Sequence, residues 1–410
     1  MRPEEVRALL WSFAYFFCLL ASYYILRPLR DEMGVAGGVR NLQWLFTGTF
    51  LVMLAAVPLY GALVARVPRR RFIPLVYHFF AANLALFWVL LALGYEKQIV
   101  ARVFFVWISV FVLFAVSVFW SFMADIYSSE QGKRLYGFIA AGGSAGALAG
   151  PVLTIGLAPL IGATHLLILA ALLLEVAVLC AMRLEVRKEP SMSEQPVGGG
   201  ALDGLRMIVS SPYIAGITLW VSLLSIAATF LYFEQASIVA AASDDPAVRT
   251  RIFATVDLAV GLLTLAVQFV ATGKLIARFG VGPALGLLPF VFAAGFAVLA
   301  SAPVLLVVVA FQALQRTANF AISNPAREVL FTVMARDEKY KAKNVIDIVA
   351  VRGADATGGW LITGLRALGM EIRAIALVAI ALAAAGVVLS AALGRAQQRR
   401  AARPAGMGKA

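Results

Sequence analysis

Side chains that hold metals or form cross-links are nearly missing from this chain: its 410 residues include two cysteines and two histidines. Cys18 and Cys180 lie far apart inside apolar stretches, a spacing that fits neither a disulfide framework nor a zinc site, so inert buried thiols are expected. His78 and His165 have no carboxylate or thiol companion at ligand spacing, which leaves packing or interface roles and no metal site. Charge is scarce as well. Only 14% of residues are Asp, Glu, Lys or Arg against 62% hydrophobic, and mean hydropathy is +0.88. Soluble domains are about 25% charged and about 45–50% apolar, so a soluble globular protein is excluded. No glycine-rich loop ending in Lys-Ser or Lys-Thr occurs, which argues against an ATP-hydrolysing pump. No nucleophile–base constellation occurs either, so no catalytic residue, no cofactor and no enzymatic activity are expected.

Long apolar runs take the place of what is missing. Segments of about 20 apolar residues recur along the whole chain, the length needed to cross about 30 Å of hydrocarbon. They are continuous and not alternating ten-residue strands, so the expected fold is an all-α integral membrane protein and not a barrel. Twelve transmembrane helices are expected near 8–33, 41–65, 72–94, 99–124, 135–157, 162–183, 211–235, 252–273, 281–301, 303–323, 343–366 and 373–393. Met1-Arg2-Pro3-Glu4-Glu5 leads into a full-length apolar segment with no small-residue cleavage site, so that segment is expected to be the first span and not a signal peptide. The one long polar interruption, Arg183 to Arg206, contains Arg187-Lys188-Glu189-Pro190 and Gly198-Gly199-Gly200 and reads as a flexible linker. The expected domains are an N-terminal six-helix bundle over 1–183, a linker over 184–207, a C-terminal six-helix bundle over 208–394 and a basic tail over 395–410.

Basic residues give the expected orientation. With the N-terminus inside, about 24 of the 35 Lys and Arg fall in loops on that side, among them Arg69, Arg70, Arg71, Lys133, Arg134, Lys339, Lys341, Arg395, Arg399 and Arg400. Both termini are therefore expected in the cytoplasm, the location in the bacterial inner membrane. This bias also accounts for most of the +13 net charge, so the basic balance reflects the lipid bilayer and not a nucleic-acid partner. A monomer is expected. Arg27-Pro28-Leu29-Arg30-Asp31-Glu32, at the end of the first span, lies on the opposite side, where arginine is disfavoured. Charge at that depth costs roughly 2.5–3.5 kcal/mol per residue on insertion scales, which marks the stretch as functional.

The two halves echo each other. Gly61-Ala-Leu63-Val-Ala65-Arg66 follows the second span, and Gly273-Lys-Leu275-Ile-Ala277-Arg278 follows the eighth, 212 positions further on. A parallel repeat of six plus six spans is the signature of major-facilitator transporters, which implies a substrate site between the halves near mid-membrane. The Gly-x-Leu-x-x-Arg turn resembles that superfamily's loop 2–3 signature, with Ala65 where an aspartate is usual. Gly142, Gly146 and Gly150 share one face of the fifth span and are expected to admit a close helix neighbour. The run Gly146-x-x-x-Gly150-Pro151 also resembles an antiporter motif of the superfamily, without the glycine pair that normally follows it.

Intramembrane polar residues supply the candidate site. Arg27 and Arg30 are three apart and face one way. The tenth span carries Arg316 and Asn319 on a shared face, then Asn324, Pro325, Arg327 and Glu328. The eleventh carries Asp347, Arg352 and Asp355, with Arg352 and Asp355 spaced to pair. Asp257 in the eighth span is an intramembrane carboxylate suited either to ion coupling or to pairing with an arginine. Glu175 and Glu234 suit interface or pairing roles.

Three segments resemble the bacterial and plastid ATP/ADP translocases: Tyr24-Ile25-Leu26-Arg27-Pro28-Leu29-Arg30-Asp31, then Phe119-Trp120-Ser121-Phe122-Met123-Ala124-Asp125 with Gly132-Lys133-Arg134-Leu135-Tyr136, and Lys341-Ala342-Lys343-Asn344-Val345-Ile346-Asp347. The resemblance implies a nucleotide-exchanging carrier. It puts Arg30 in the place of a nucleotide-binding lysine and Lys343 with Asp347 at a second contact. The chain is shorter than most of that family and has no acidic residue in the first half of its fourth span. The expected substrate is a small organic anion, bound by Arg27, Arg30, Asp31, Arg134, Arg316, Asn319, Lys343, Asp347, Arg352 and Asp355, with Asp257 the coupling candidate. Arginines lacking a partner would hinder return of the empty carrier and so favour exchange.

Overall fold

A computed structural model describes residues 3–66, 69–184, 201–334 and 336–402, and these are helical almost throughout. The helices are α1 (Pro3–Ala36), α2 (Leu42–Arg66), α3 (Arg69–Ala92), α4 (Lys97–Ile126), α5 (Ser129–Ile161), α6 (Leu166–Met182), α7 (Ala201–Ser210), α8 (Pro212–Ala242), α9 (Pro246–Val267), α10 (Gly273–Phe279), α11 (Val281–Ser301), α12 (Leu305–Ala318), α13 (Asn324–Leu330), α14 (Arg336–Val345), α15 (Val351–Ala367) and α16 (Ile372–Ala401). Among the described residues, eleven stretches are long and apolar enough to cross a membrane, and each coincides with an expected span. The remaining expected span, 343–366, falls short of that apolarity. It carries Asp347, Arg352 and Asp355, and it is split into α14, a wide π-helical turn at Ile346–Ala350, and α15.

Two further boundaries differ from the sequence expectation. Most of the expected linker lies outside the described residues, but its end forms α7, which packs on α14. Leu205, Ile208 and Val209 supply the apolar i, i+3, i+4 spacing that favours a helix there. The expected tail begins as helix too, because α16 continues unbroken to Ala401.

The chain divides into two compact units, Met1–Ser193 with Val239–Gly261, and Glu194–Ile238 with Leu262–Ala410. In the first unit α1 is the central element, packed against α5, α6 and α4. Its closest neighbour is the glycine face of α5. A Cβ added at Gly142 would lie 2.5 Å from the Phe13 carbonyl oxygen, and one at Gly146 would lie 2.9 Å from the Ala21 nitrogen. The three glycines therefore serve the packing role expected of them. Beside this contact Phe16 stacks on Phe119 with ring centres 4.1 Å apart. The buried Tyr15 hydroxyl donates to Tyr77 at 2.8 Å, and the Tyr77 hydroxyl donates to the Ala115 carbonyl at 2.9 Å. A hydroxyl in an apolar interior must find such partners, since water is absent there.

In the second unit proline sets the irregularity. Pro325 has no N–H to donate to the Ala321 carbonyl one turn back, and the helix opens into a wide turn at Asn319–Ser323 before continuing as α13. The Thr272 hydroxyl donates to the freed Ala321 oxygen at 2.7 Å, from another wide turn at Gln268–Thr272. Elsewhere α11 and α16 approach so closely that a Cβ on Gly394 would sit 2.5 Å from the Gly282 Cα. The Trp220 indole anchors α8 to α16 by donating to the Ser390 hydroxyl at 2.7 Å.

The glycine face of α5 yields a paired test. Gly146→Ala pushes a methyl into backbone and is expected to lower stability by about 1–3 kcal/mol, measured as thermal unfolding of the detergent-purified protein. Gly156→Ala, on the same helix with no atom within 4 Å of the new methyl, should unfold at or slightly above the parent temperature. Equal behaviour of the two variants would show that α1 does not rest on this face.

Candidate functional site

The end of α1 gathers the charges that composition makes conspicuous. Pro28 sits within this helix and withholds one backbone N–H from the turn before it. One turn apart, Arg27 and Arg30 reach different partners. The Arg27 guanidinium lies 3.6 Å from the Asp257 carboxylate on α9, a side chain that is almost fully buried. Arg30 stands 3.8 Å from Asp31 and lies over the Phe105 ring at 4.3 Å, a cation–π contact. Next to them Glu32, also buried, accepts from Arg249 at 2.8 Å. Arg27, Arg30, Arg249 and Asp31, Glu32, Asp257 thus make a charge-balanced cluster inside the first unit. Glu32 and Arg249 were not among the expected site residues. The signal for them was present as one more carboxylate in the Arg30-Asp31-Glu32 run and one more loop arginine on the disfavoured side.

Arg134 belongs elsewhere. It donates to buried Glu5 at 3.0 Å, joined by Gln131 at 3.2 Å, at the opposite end of α1. Twenty-two helical residues separate Glu5 from Arg27, about 33 Å at 1.5 Å per residue. Gln131 is held there by a capping box with Ser128 at the start of α5. Arg134 therefore secures the α1–α5 end and does not join the Arg27–Arg30 cluster.

The second unit holds the other candidates around the wide turns at Asn319–Ser323 and Ile346–Ala350. A cavity of about 260 Å³ is lined by Trp220, Gln315, Asn319, Asn324, Arg327 and Asp347, among others. Arg327 and Asp347, both in its lining, form an ion pair at 3.1 Å. Asn319 and Asp347 thus line one cavity, together with Asn324 and Arg327. Lys343 pairs with Glu328 at 2.7 Å, and Arg352 pairs with Asp355 at 3.3 Å, the i,i+3 contact its spacing predicts. Arg316 is half-buried on α12 and, like these two pairs, lies outside the cavity lining. The expectation of unpartnered arginines is corrected here: Arg27, Arg30, Arg134 and Arg352 each have a carboxylate at hand.

The remaining carboxylates take the pairing roles expected of them. Glu234 is buried and accepts from Arg366 at 2.8 Å. Glu175 lies 2.9 Å from the His78 ring nitrogen, on an exposed face of the first unit. That contact spans two helices, which is why no ligand spacing was visible in sequence. Both cysteines are buried and free.

The α1–α9 pair can be tested by charge removal. Asp257→Asn leaves the Arg27 guanidinium without its carboxylate and is expected to cost about 3 kcal/mol, the lower end for a broken buried pair. Adding Arg27→Gln should recover most of that loss in thermal unfolding. A single variant as stable as the parent would mean that the contact carries no weight.

Similarity to known proteins follows the fold. The sequence profile of the Major Facilitator Superfamily matches residues 8–243. No curated protein matches the sequence. Among solved structures, the chain is similar to a bacterial homologue of the human lysosomal transporter Spinster in an inward-facing, unoccupied conformation, at 14% identity over 98% of each chain with a TM-score of 0.62. It is similar to the nucleoside transporter NupG at 14% identity, over 98% of this chain and all of the other, with a TM-score of 0.63. The POT family transporter PepTSo aligns at 14% identity, over 96% of this chain and 98% of the other, with a TM-score of 0.68. At such identity these structures speak to fold alone, and the fold agrees with the profile that matches more than half of the sequence. The chain belongs to the Major Facilitator Superfamily of membrane transporters.

Proposed function

We propose that the protein carries an organic anion, a nucleotide of the ATP/ADP type, across the bacterial inner membrane by alternating access. The observation that carries the anion reading is the pair of guanidiniums one turn apart on α1, Arg27 at 3.6 Å from Asp257 and Arg30 at 3.8 Å from Asp31. A phosphate offering bidentate contact suits two guanidiniums placed one helical turn apart. Phe105 beneath Arg30 holds the guanidinium plane in place. In the second unit, Asn319, Asn324 and Arg327 supply amide and guanidinium donors to a cavity of suitable polarity.

Nucleotide identity and exchange rest on the resemblance of the first, fifth and eleventh spans to the ATP/ADP translocases. The ion pairs remove the electrostatic ground for exchange, because an empty carrier whose arginines are partnered meets little barrier to return. Proton coupling is the second reading, favoured by Asp257: protonating this buried carboxylate would release Arg27 for the substrate.

Uptake of labelled ATP or ADP by proteoliposomes, with and without nucleotide inside, tests both substrate and mode. Arg27→Ala and Arg30→Ala each remove a charged contact worth about 1.5–3 kcal/mol, or roughly 10- to 150-fold in apparent affinity. Arg30→Lys, which keeps the charge but not the planar fork, should lose less than Arg30→Ala. No uptake of any nucleotide by the parent protein would refute the substrate, and full activity in Arg27→Ala and Arg30→Ala would refute the site.

A further inference from the structure

The basic end of α16 carries two adjoining cavities that the transport reading does not use. One, of about 400 Å³, is lined by Arg395, Arg399 and Arg400 with two alanines. The other, of about 300 Å³, runs between α11 and α16 along Pro283, Gly286, Val387 and Ala391, and ends at Arg395 and Gln398. Arg395 lines both. The first cavity is therefore cationic, and the second is an apolar groove that opens beside it.

Position along the helix matches a bilayer boundary. From Ala374 to Gly394 the sequence of α16 is uncharged, about 31 Å at 1.5 Å per residue, close to the thickness of the hydrocarbon core. Arg395 stands at the limit of that stretch, and the groove descends from it towards Val387, about 12 Å along the helix. Glycines open the groove: Gly282 and Gly394 let the helices touch, while a Cβ at Gly286 would meet the Ser390 Cβ at 3.8 Å, ordinary contact distance.

The electrostatics favour an anion at the mouth. Among the described residues, Arg395 and Arg399 are exposed and make no ion pair, and no carboxylate lines either cavity. Arg400 rests on the Tyr213 ring at 4.4 Å, which holds the cluster against α8. The N-terminal turn of α11, beginning at Val281 beside Gly282, adds the positive end of its dipole. A free phosphate would satisfy the arginines and leave the apolar wall exposed. A phospholipid satisfies both, with its phosphate on the arginines and an acyl chain in the groove. We propose that this end of α16 and the α11–α16 groove bind an anionic phospholipid of the bilayer leaflet on that side. Basic pockets between membrane helices are the known physical form of such sites.

The test is lipid retention by the full-length protein in detergent, measured by native mass spectrometry during titration with phosphatidylglycerol or phosphatidylcholine. The expected result is one phosphatidylglycerol retained at least tenfold more tightly than phosphatidylcholine. Arg395→Gln with Arg399→Gln should weaken it roughly 10- to 30-fold. Gly286→Leu, which fills the groove and leaves charge unchanged, should weaken it too, while Arg183→Gln in the first unit should not. Equal retention of the two lipids, or a double variant that binds like the parent, would overturn the proposal. Displacement by millimolar inorganic phosphate would overturn it as well, by showing a free-anion pocket. Should Gly286→Leu fail to fold, the arginine variant, which alters only exposed side chains, decides the matter.

Discussion

Charge buried among membrane-spanning helices must be partnered, and the arrangement at the end of α1 follows from that constraint. An isolated guanidinium or carboxylate there is too costly to keep, whereas a pair is affordable when its geometry is good. Arg27 and Glu32 find Asp257 and Arg249 more than two hundred positions away in sequence. Both partners lie on α9, and both contacts fall within the first compact unit. Charge pairing thus holds the turn between α8 and α9 against the first helix, a link that hydrophobic packing between long apolar helices could not specify by itself. Between lipid-like surfaces there is no hydrophobic gain to be had from choosing one neighbour over another.

Where specificity does not come from charge, it comes from the absence of side chains. The α5 glycines bring α5 onto the backbone of α1, and Gly282 with Gly394 brings α11 onto α16. Proline works the other way. Pro325 leaves the Ala321 carbonyl to be satisfied by Thr272, and the resulting wide turn separates α12 from α13 at the cavity that Asn319, Asn324 and Arg327 line. Polar side chains and irregular backbone coincide there for one reason. An opened helix needs hydrogen-bond partners, and the same opening makes room for them.

The spans were legible in the sequence because length and apolarity decide them, and one bilayer thickness applies to all. The span at 343–366 was read together with them, although Asp347, Arg352 and Asp355 keep it below the apolarity of the others. Local spacing was readable as well: Arg352 and Asp355 pair as their separation predicts, and the glycines of α5 face one helix. Partners on separate helices were not readable. Nothing local joins Glu32 to Arg249, or His78 to Glu175, and Arg134 looked like a substrate contact until Glu5 stood beside it. The partner of the carbonyl that Pro325 frees was hidden too, because Thr272 lies 49 positions from Ala321. The helical start of the expected tail was hidden by its charge, which says basic and says nothing of backbone.

The pairing changes what the α1 cluster can discriminate. With each arginine resting on a carboxylate, an incoming monoanion gains little, since it replaces one negative group by another. A polyphosphate differs. It would, on the proposed reading, bring several oxygens at once and engage Arg27 and Arg30 together across one helical turn. On the proposed reading, selectivity then depends on the number and spacing of charges and not on the presence of charge, so phosphate esters with a single anionic group should compete poorly with diphosphates and triphosphates. The same logic makes Asp257 the more consequential carboxylate. Asp31 is the next residue on the helix and follows Arg30 wherever it goes, whereas Asp257 sits on another helix, so parting Arg27 from it requires either a substrate to replace it or a proton to neutralise it.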